Sequence, residues 1–416
     1  MPIDFKQHVL PNGLTVIAET NDDAHTAAVG FFVKTGARDE TPELMGVSHF
    51  LEHMMFKGTD RRSADDVNRE FDEIGANYNA YTSHEQTVYY AHVLPEVLPH
   101  AVDLFTDMLR PALRTEDFDT EKQVILEEIG MYDDRPEWRL QDRLLEEHYR
   151  LASGGGHGLG YRVLGTADTV GALTAEQMRD YFNARYSPDN LVVSAAGRVD
   201  FDKLVADLEA RCGGWSPTRA ERAYTDPAES GQRVDLRQAS VNRHYLAMLC
   251  PGPSAQDALR YPAKVLSDVL GDSDGSRLYW ALVDPGHADE ADFSFWPHDR
   301  TGAFMAYASC DPGRAQAVEA KLLAVLDAVP GEGFDIRADE VERAVNKLAT
   351  RATLQGERPA GRMQALGGQW LVHGRYVPLD EELGRLMAVT VDDIRALVGE
   401  YTLSPRTLVT LGPEVN

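Results

Sequence analysis

Five consecutive residues, His49-Phe50-Leu51-Glu52-His53, carry the sharpest chemical signal in the chain. They lie in an apolar stretch from Met45 to Phe56 whose pattern predicts a helix. Positions i and i+4 share one helix face, so His49 and His53 project side by side. Two imidazoles in that arrangement can bind one Zn²⁺. Glu52 lies one turn from His49 and could take the proton of a metal-bound water. The order, with the acid before the second histidine, inverts the better-known zinc helix motif. The competing explanation is a pair of surface or hydrogen-bonded histidines. Phe50, Leu51, Met54, Met55 and Phe56 weaken it, because they imply a buried helix. Three ionisable groups on a buried helix need partners.

A catalytic zinc takes three protein ligands and keeps a position for water. The segment Glu121 to Ile129 offers the third. Glu121, Val124, Ile125 and Glu128 stand at i, i+3, i+4 and i+7, which places two carboxylates on a stripe with two β-branched apolar residues. Carboxylates on a buried helix face are costly unless paired or coordinated. Glu128 is the ligand this pattern favours, with Glu121 supporting the site from behind, while Glu127 is turned about 100° away toward solvent. A helix that merely exposes an acidic face is the alternative.

The elements that must hold these residues are legible in outline. Leu14 to Ile17 and Ala28 to Val33 read as strands, with turns at Asn12-Gly13 and Asn21-Asp22-Asp23. Helical patterns cover about 44–57, 64–75, 96–110 and 117–133. Tyr78 to Thr82 and Thr87 to Ala91 read as paired strands. This order predicts an α+β domain, helices packed on a mainly antiparallel sheet. A repeat doubles it. The run from Thr174 through Tyr186 and Ser187-Pro188 to a strand ending at Gly197 recurs from Thr390 through Tyr401 and Ser404-Pro405 to Gly412. The three intervals are all close to half the chain, which indicates two duplicated domains. Composition turns polar between them, so the expected division is 1–215, a linker at 216–231, and 232–416.

Composition bounds the rest. The 416 residues are 43% hydrophobic and 26% charged, a globular balance that excludes disorder and collagen-like repeats. A net charge of −26 argues against nucleic acid, whose binding rests on cations, and against anionic membrane surfaces. Cys212, Cys250 and Cys310 are odd in number and far apart, which fits a reducing compartment. The N-terminus lacks a secretory signal and no stretch has the length of a membrane helix, so a cytoplasmic location is expected. Ser153 to Gly158 lacks the lysine of a phosphate loop. His84, His92, His100 and His157 have no partner at ligand spacing.

On Gly46-Val47-Ser48-His49-Phe50-Leu51-Glu52-His53-Met54-Met55-Phe56-Lys57-Gly58-Thr59, on Gly75 to Ser83, on Thr87-Val88-Tyr89-Tyr90 and on the helix from Val124 to Ile129, the sequence resembles the pitrilysin family of zinc metallopeptidases. That group includes insulin-degrading and mitochondrial processing peptidases. With the repeat, the resemblance covers nearly the whole chain and points to the small, two-domain branch. It implies two homologous halves closing like a clam on a chamber, zinc held by His49, His53 and Glu128, and Glu52 as general base. It also implies an extended peptide substrate added to a strand edge near Asn79, Ala80 and Thr82. Ordinary strand polarity would explain Asn79 and Thr82 without it.

The chain departs from the family in its second half, which normally brings an Arg and, seven residues on, a Tyr to the substrate. Those positions fall on Val283 and Glu290 here. Three explanations follow: a partner chain supplies the pair in a dimer, most naturally a heterodimer; Arg277, Tyr279 or His287 substitutes; or the chain is weakly active. The expectation is a zinc endopeptidase. Its rivals are a non-catalytic scaffold of the respiratory-complex core type and a peptide binder with a structural metal.

Overall fold

A computed structural model describes residues 3–151, 155–225, 227 and 231–414. Parts of the expected linker (226 and 228–230) and of the glycine-rich run (153–154) lie outside the described residues. The chain forms two compact units. The first comprises Met1–Gly130, Tyr161–Ala223 and Leu354–Val377, and the second Met131–Gly160, Tyr224–Thr353 and Pro378–Asn416.

The first unit holds a six-stranded sheet of β1 (Asp4–Val9), β2 (Thr15–Thr20), β3 (Ala27–Val33), β4 (Asn77–Thr82), β5 (Thr87–Val93) and β6 (Leu191–Gly197). The strand order is β1-β2-β6-β3-β5-β4, which leaves β4 on an edge. All neighbours are antiparallel except β2 with β6. Seated on one side are α1 (Val47–Met55), α2 (Ala64–Glu73), α3 (Leu98–Met108) and α4 (Thr115–Asp133). α4 is followed by α5 (Pro136–His148), which belongs to the second unit. β3 explains why its sequence reads as an unbroken apolar run rather than an alternation. Val29, Phe31 and Val33 enter one core while Ala28 and Phe32 enter another, so both faces are covered.

The second unit repeats the plan. Its sheet joins β7 (Arg233–Arg237), β8 (His244–Pro251), β9 (Glu290–His298), β10 (Thr301–Cys310) and β11 (Thr407–Gly412) in the order β7-β11-β8-β10-β9. Again one pair is parallel, β11 with β7, and the rest antiparallel. Strand for strand this matches β2-β6-β3-β5-β4, so the duplication read from the sequence is a duplication of fold.

The units depart from the expected chain-order division at 1–215 and 232–416 by exchanged segments. Helix 359–373 from late in the chain packs on β2, β3 and β6, where Met363 and Leu366 meet Ile17, Ala28, Phe32 and Val192. Helix α5 from early in the chain packs on β8 and β11, where Leu140, Leu144 and Leu145 meet Tyr245, Ala247 and Leu249. Each helix thus covers the second face of a sheet that its own half of the sequence does not supply. Two glycines permit the close approach in the first unit. A Cβ at Gly30 would stand 2.4 Å from Met363 Sδ, and one at Gly367 would stand 2.4 Å from the Phe32 ring. Arg362 on the same helix makes a two-pronged ion pair with Glu19 of β2, at 2.5 and 2.6 Å, and both side chains are buried.

The stretch expected as a linker is anchored at its start. Arg222 bonds both carboxylate oxygens of Asp39, at 2.9 and 2.7 Å, and Thr218 bonds Ser187 and Ala184. The three cysteines are buried and free. Among the described residues no helix is long and apolar enough to cross a membrane.

Candidate metal centre

α1 is held by its surroundings more than by its own caps. Its N-cap, Gly46, has φ 96°, a left-handed conformation suited to glycine, and a Cβ there would meet Leu164 O at 2.7 Å. No side chain at that position can bond the free N–H groups of the first turn. Glu40 does so from a distance along the chain: its carboxylate accepts from Gly46 N–H at 2.8 Å and Ser48 N–H at 2.7 Å. Burial is the main force pushing the Glu40 carboxyl up, to about 7. The Ser48 hydroxyl is 2.7 Å from Tyr181 Oη, which in turn is 2.8 Å from Thr35 Oγ1. Val47, Phe50, Leu51, Met54 and Met55 fill the core beneath.

On this frame His49 and His53 stack edge to face with ring centres 4.7 Å apart. Glu128 arrives from α4. Its Oε2 lies 3.9 Å from His49 Nε2 and 3.7 Å from His53 Nε2. Among the described residues these three form the cluster of metal-binding side chains, with donor atoms within 4.8 Å of one another. Ligand atoms around a tetrahedral zinc at about 2.0–2.2 Å stand roughly 3.3–3.6 Å apart. The two Glu128 separations, 3.9 and 3.7 Å, are a few tenths of an ångström longer than that.

The protonation pattern suits a cation. Burial, reinforced by His53, lowers His49 to about 3, so it is a neutral imidazole at ordinary pH. His49 Nδ1 is buried without a hydrogen-bond partner. His53 Nδ1 lies 2.9 Å from Glu121 Oε1. A carboxylate can only accept, so Nδ1 carries a proton, which makes Nε2 the nitrogen that offers a lone pair whenever the ring is neutral. Burial alone would lower His53, but the Glu121 bond and the charges of Glu128, Glu121 and Glu52 carry it above its usual value. Glu121 also accepts from Lys57 Nζ at 2.5 Å. Burial works to raise the Glu121 carboxyl, and the bonds to His53 and Lys57 hold it below the usual range instead. Such partners behind a histidine fix its tautomer and ring orientation. The donor set, two imidazole lone pairs and a carboxylate converging with no cation among them, fits Zn²⁺.

Glu52 is half-buried beside the cluster. Its Oε2 accepts from Thr82 Oγ1 at 2.6 Å. Burial raises the Glu52 carboxyl, helped by Glu128 and opposed by Thr82 and His53. Asn79, Ala80 and Thr82 all lie on the edge strand β4. Ala80 N–H is met by Asn79 Oδ1 at 2.8 Å, and the Thr82 hydroxyl is turned to Glu52. Sequence reasoning missed two residues of this site and one bond within it. Lys57 stands at i+4 from His53, a spacing that could have exposed it. Glu40 and the Thr82–Glu52 bond depend on packing between distant segments and left no local signal.

The histidines set aside are engaged elsewhere: His92 with Thr26, His100 with Glu70, His84 with Tyr161 O, and His157 with Leu159 N–H and Thr225 O. In the second unit, Val283 packs against the core and Glu290 opens β9 in solvent. Arg277 is committed to Glu340 and Asp335, at 2.9 and 2.5 Å.

Comparison with known proteins agrees with the geometry. Residues 15–160 match the family model described as Insulinase (Peptidase family M16), and residues 172–348 match the Peptidase M16 inactive domain. The chain is 34% identical over 98% of its length, and 89% of the relative's, to an "uncharacterized zinc protease" of Streptomyces coelicolor. It is 30% identical, over 99% of both chains, to the "uncharacterized zinc protease YmxG" of Bacillus subtilis. A solved structure of a protease from Helicobacter pylori shares the fold, with TM-score 0.92 over 99% of this chain and 100% of that one at 21% identity. The chain, with its inverted His-x-x-Glu-His helix and its duplicated α+β units, belongs to peptidase family M16.

Proposed function

We propose that the protein is a zinc-dependent endopeptidase that hydrolyses peptides or short unfolded segments. The observation that carries this reading is the convergence of His49, His53 and Glu128 beside a half-buried carboxylate, Glu52. His49, His53 and Glu128 would hold the metal, and Glu121 with Lys57 would hold His53. Zinc bound there supplies Lewis acidity and makes a water nucleophilic near neutral pH. Glu52 would accept the proton of the attacking water and return it to the leaving amine. The edge of β4 would receive the peptide as an added strand, with Ala80 N–H available once the Asn79 amide moves off it. The intact ligand set disfavours a scaffold role.

The Val283 and Glu290 positions leave this chain without the Arg and Tyr that the resemblance leads one to expect, and Arg277 is already paired. A homologous partner chain carrying that pair, in a dimer, completes the reading. A cytoplasmic location is part of the same proposal.

The test is cleavage of an unstructured peptide pool by the purified, zinc-loaded chain, with chelated and Glu52→Gln controls. Chelator-sensitive cleavage that Glu52→Gln abolishes, with zinc content kept, is the expected result. Cleavage by the lone chain would remove the need for a partner. Zinc-loaded protein that binds peptide equally well with and without Glu52, and never cleaves even beside an Arg- and Tyr-bearing homologue, would overturn the reading in favour of a binder.

A further inference from the structure

We propose that Thr82 is a positioning residue for Glu52, rather than a side-chain contact to the substrate. The inference rests on the peptidase reading and deepens it. Glu52 has two carboxylate oxygens. Thr82 Oγ1 donates to Oε2 at 2.6 Å, a short, charge-assisted bond, and leaves Oε1 to take a proton. The donor is well fixed. Thr82 is the last residue of β4, paired across the strand with Thr87 of β5, whose own hydroxyl bonds Thr35 O at 3.0 Å. A β-branched side chain on a strand has few rotamers, so the hydroxyl is held before the substrate arrives. Glu52 itself comes from α1, which packs on β4. The bond therefore ties the base on the helix to the strand that would receive the peptide.

The bond decides what Thr82 can do. Its hydroxyl proton is given to Glu52, so the side chain has no donor left for a peptide carbonyl. A hydrogen bond to an ionised group is worth about 10- to 100-fold in an equilibrium or rate. Thr82→Val keeps the shape and strand preference and deletes the donor. Thr82→Ser keeps the donor and guards against a variant that merely distorts the strand.

The experiment measures kcat and KM for one fluorogenic peptide with the zinc-loaded protein, supplemented with a homologous partner chain if the lone chain needs one. A labelled peptide titrated onto chelator-treated protein gives Kd without turnover. The expected result is a roughly 10- to 100-fold fall in kcat for Thr82→Val with KM, Kd and zinc content near wild type, and recovery of most of the rate in Thr82→Ser. Wild-type kcat in Thr82→Val overturns the proposal. So does a rise in KM and Kd with kcat kept, or a Ser variant no better than Val. Absence of zinc-dependent turnover in the wild type under both conditions would overturn the peptidase reading, a separate and earlier result.

Discussion

Glu40→Gln tests whether the carboxylate above α1 is strained by burial. Glu40 is buried, and its pKa in the folded chain is raised from 4.5 to about 7, chiefly by burial and against the two backbone bonds from Ser48 and Gly46. A carboxyl with a raised pKa binds its proton more tightly folded than unfolded. Stability therefore falls as pH rises between the two values and is level outside them. Each pKa unit corresponds to about 1.4 kcal/mol, so the span from 4.5 to about 7 is worth roughly 3 kcal/mol. A neutral glutamine has the same shape and no such titration. It also gives up one of the two N–H acceptors, for about 1–2 kcal/mol at every pH. The quantity to follow is the difference in melting temperature between variant and wild type, both zinc-saturated, from pH 5 to pH 8. Taking the difference cancels the other titrating groups. For a unit of this size roughly 3 kcal/mol is on the order of 6–12 °C. The variant should melt below wild type at pH 5 and gain that much relative to it by pH 8. A difference that stays flat would refute the reasoning, and would mean that the Gly46 and Ser48 bonds fully offset the burial of the charge.

Four further outcomes follow from the contacts above. Glu121→Gln should weaken zinc affinity about 10- to 100-fold in a competition titration, because His53 exchanges a charged acceptor for a neutral amide that no longer raises the basicity of the ring. Glu128→Ala should abolish stoichiometric zinc binding while leaving the far-ultraviolet dichroism unchanged, since Glu128 packs at the rim of the core rather than in it. Arg362→Ala should cost about 3–5 kcal/mol in urea denaturation, because Glu19 is left buried with Tyr376 as its remaining bonded side chain. Gly367→Ala should cost about 1–3 kcal/mol in the same assay, as the new Cβ would press on the Phe32 ring.

Much of the site was legible because helix periodicity is local. The i, i+4 spacing of His49 and His53 needed no knowledge of the fold; the spacing on α4 made Glu128 a candidate, and its place beside the histidines was what the family resemblance implied. The same reasoning erred in detail at Val124, expected on the buried stripe and found 44% exposed. The buried face of α4 runs through Phe118, Glu121, Ile125 and Ile129. At about 100° per residue, Glu128 sits at its margin and Val124 beyond it. Strands β2, β3, β4, β5, β6 and β11 were visible from apolar runs and turn residues, but β1 was not: its burial is poor, with His8 and Val9 exposed. The exchange of α5 and helix 359–373 was illegible for a deeper reason. An amphipathic pattern says which face of a helix must be covered, and nothing about which sheet covers it. Thr82 follows the same rule: its polarity was visible, its partner on α1 was not.

The duplication explains why one unit carries the donor cluster and the other does not. Counting the half-chain interval from Thr174 to Thr390 onward from α1, His49, Glu52 and His53 fall on Val265, Asp268 and Val269 of helix 260–271. Glu128 and Arg351 stand equally far from the starts of two 19-residue helices, Thr115–Asp133 and Ala338–Gly356. In both units, then, the same two helices face each other. In the second unit the meeting is closed by ion pairs: Arg351 bonds Asp268 and Asp272 at 3.0 Å each, and Lys347 bonds Asp272 at 2.6 Å. Every acceptor there has a cation supplied by the facing helix. In the first unit the facing groups are His49, His53 and Glu128, none of them a fixed cation, and Lys57 is spent on Glu121. Half-buried acceptors brought within 4 Å of one another repel unless a cation lies between them. The two units thus close the same helix pair differently, by fixed ion pairs in the second and by a group of side chains able to hold a metal ion in the first.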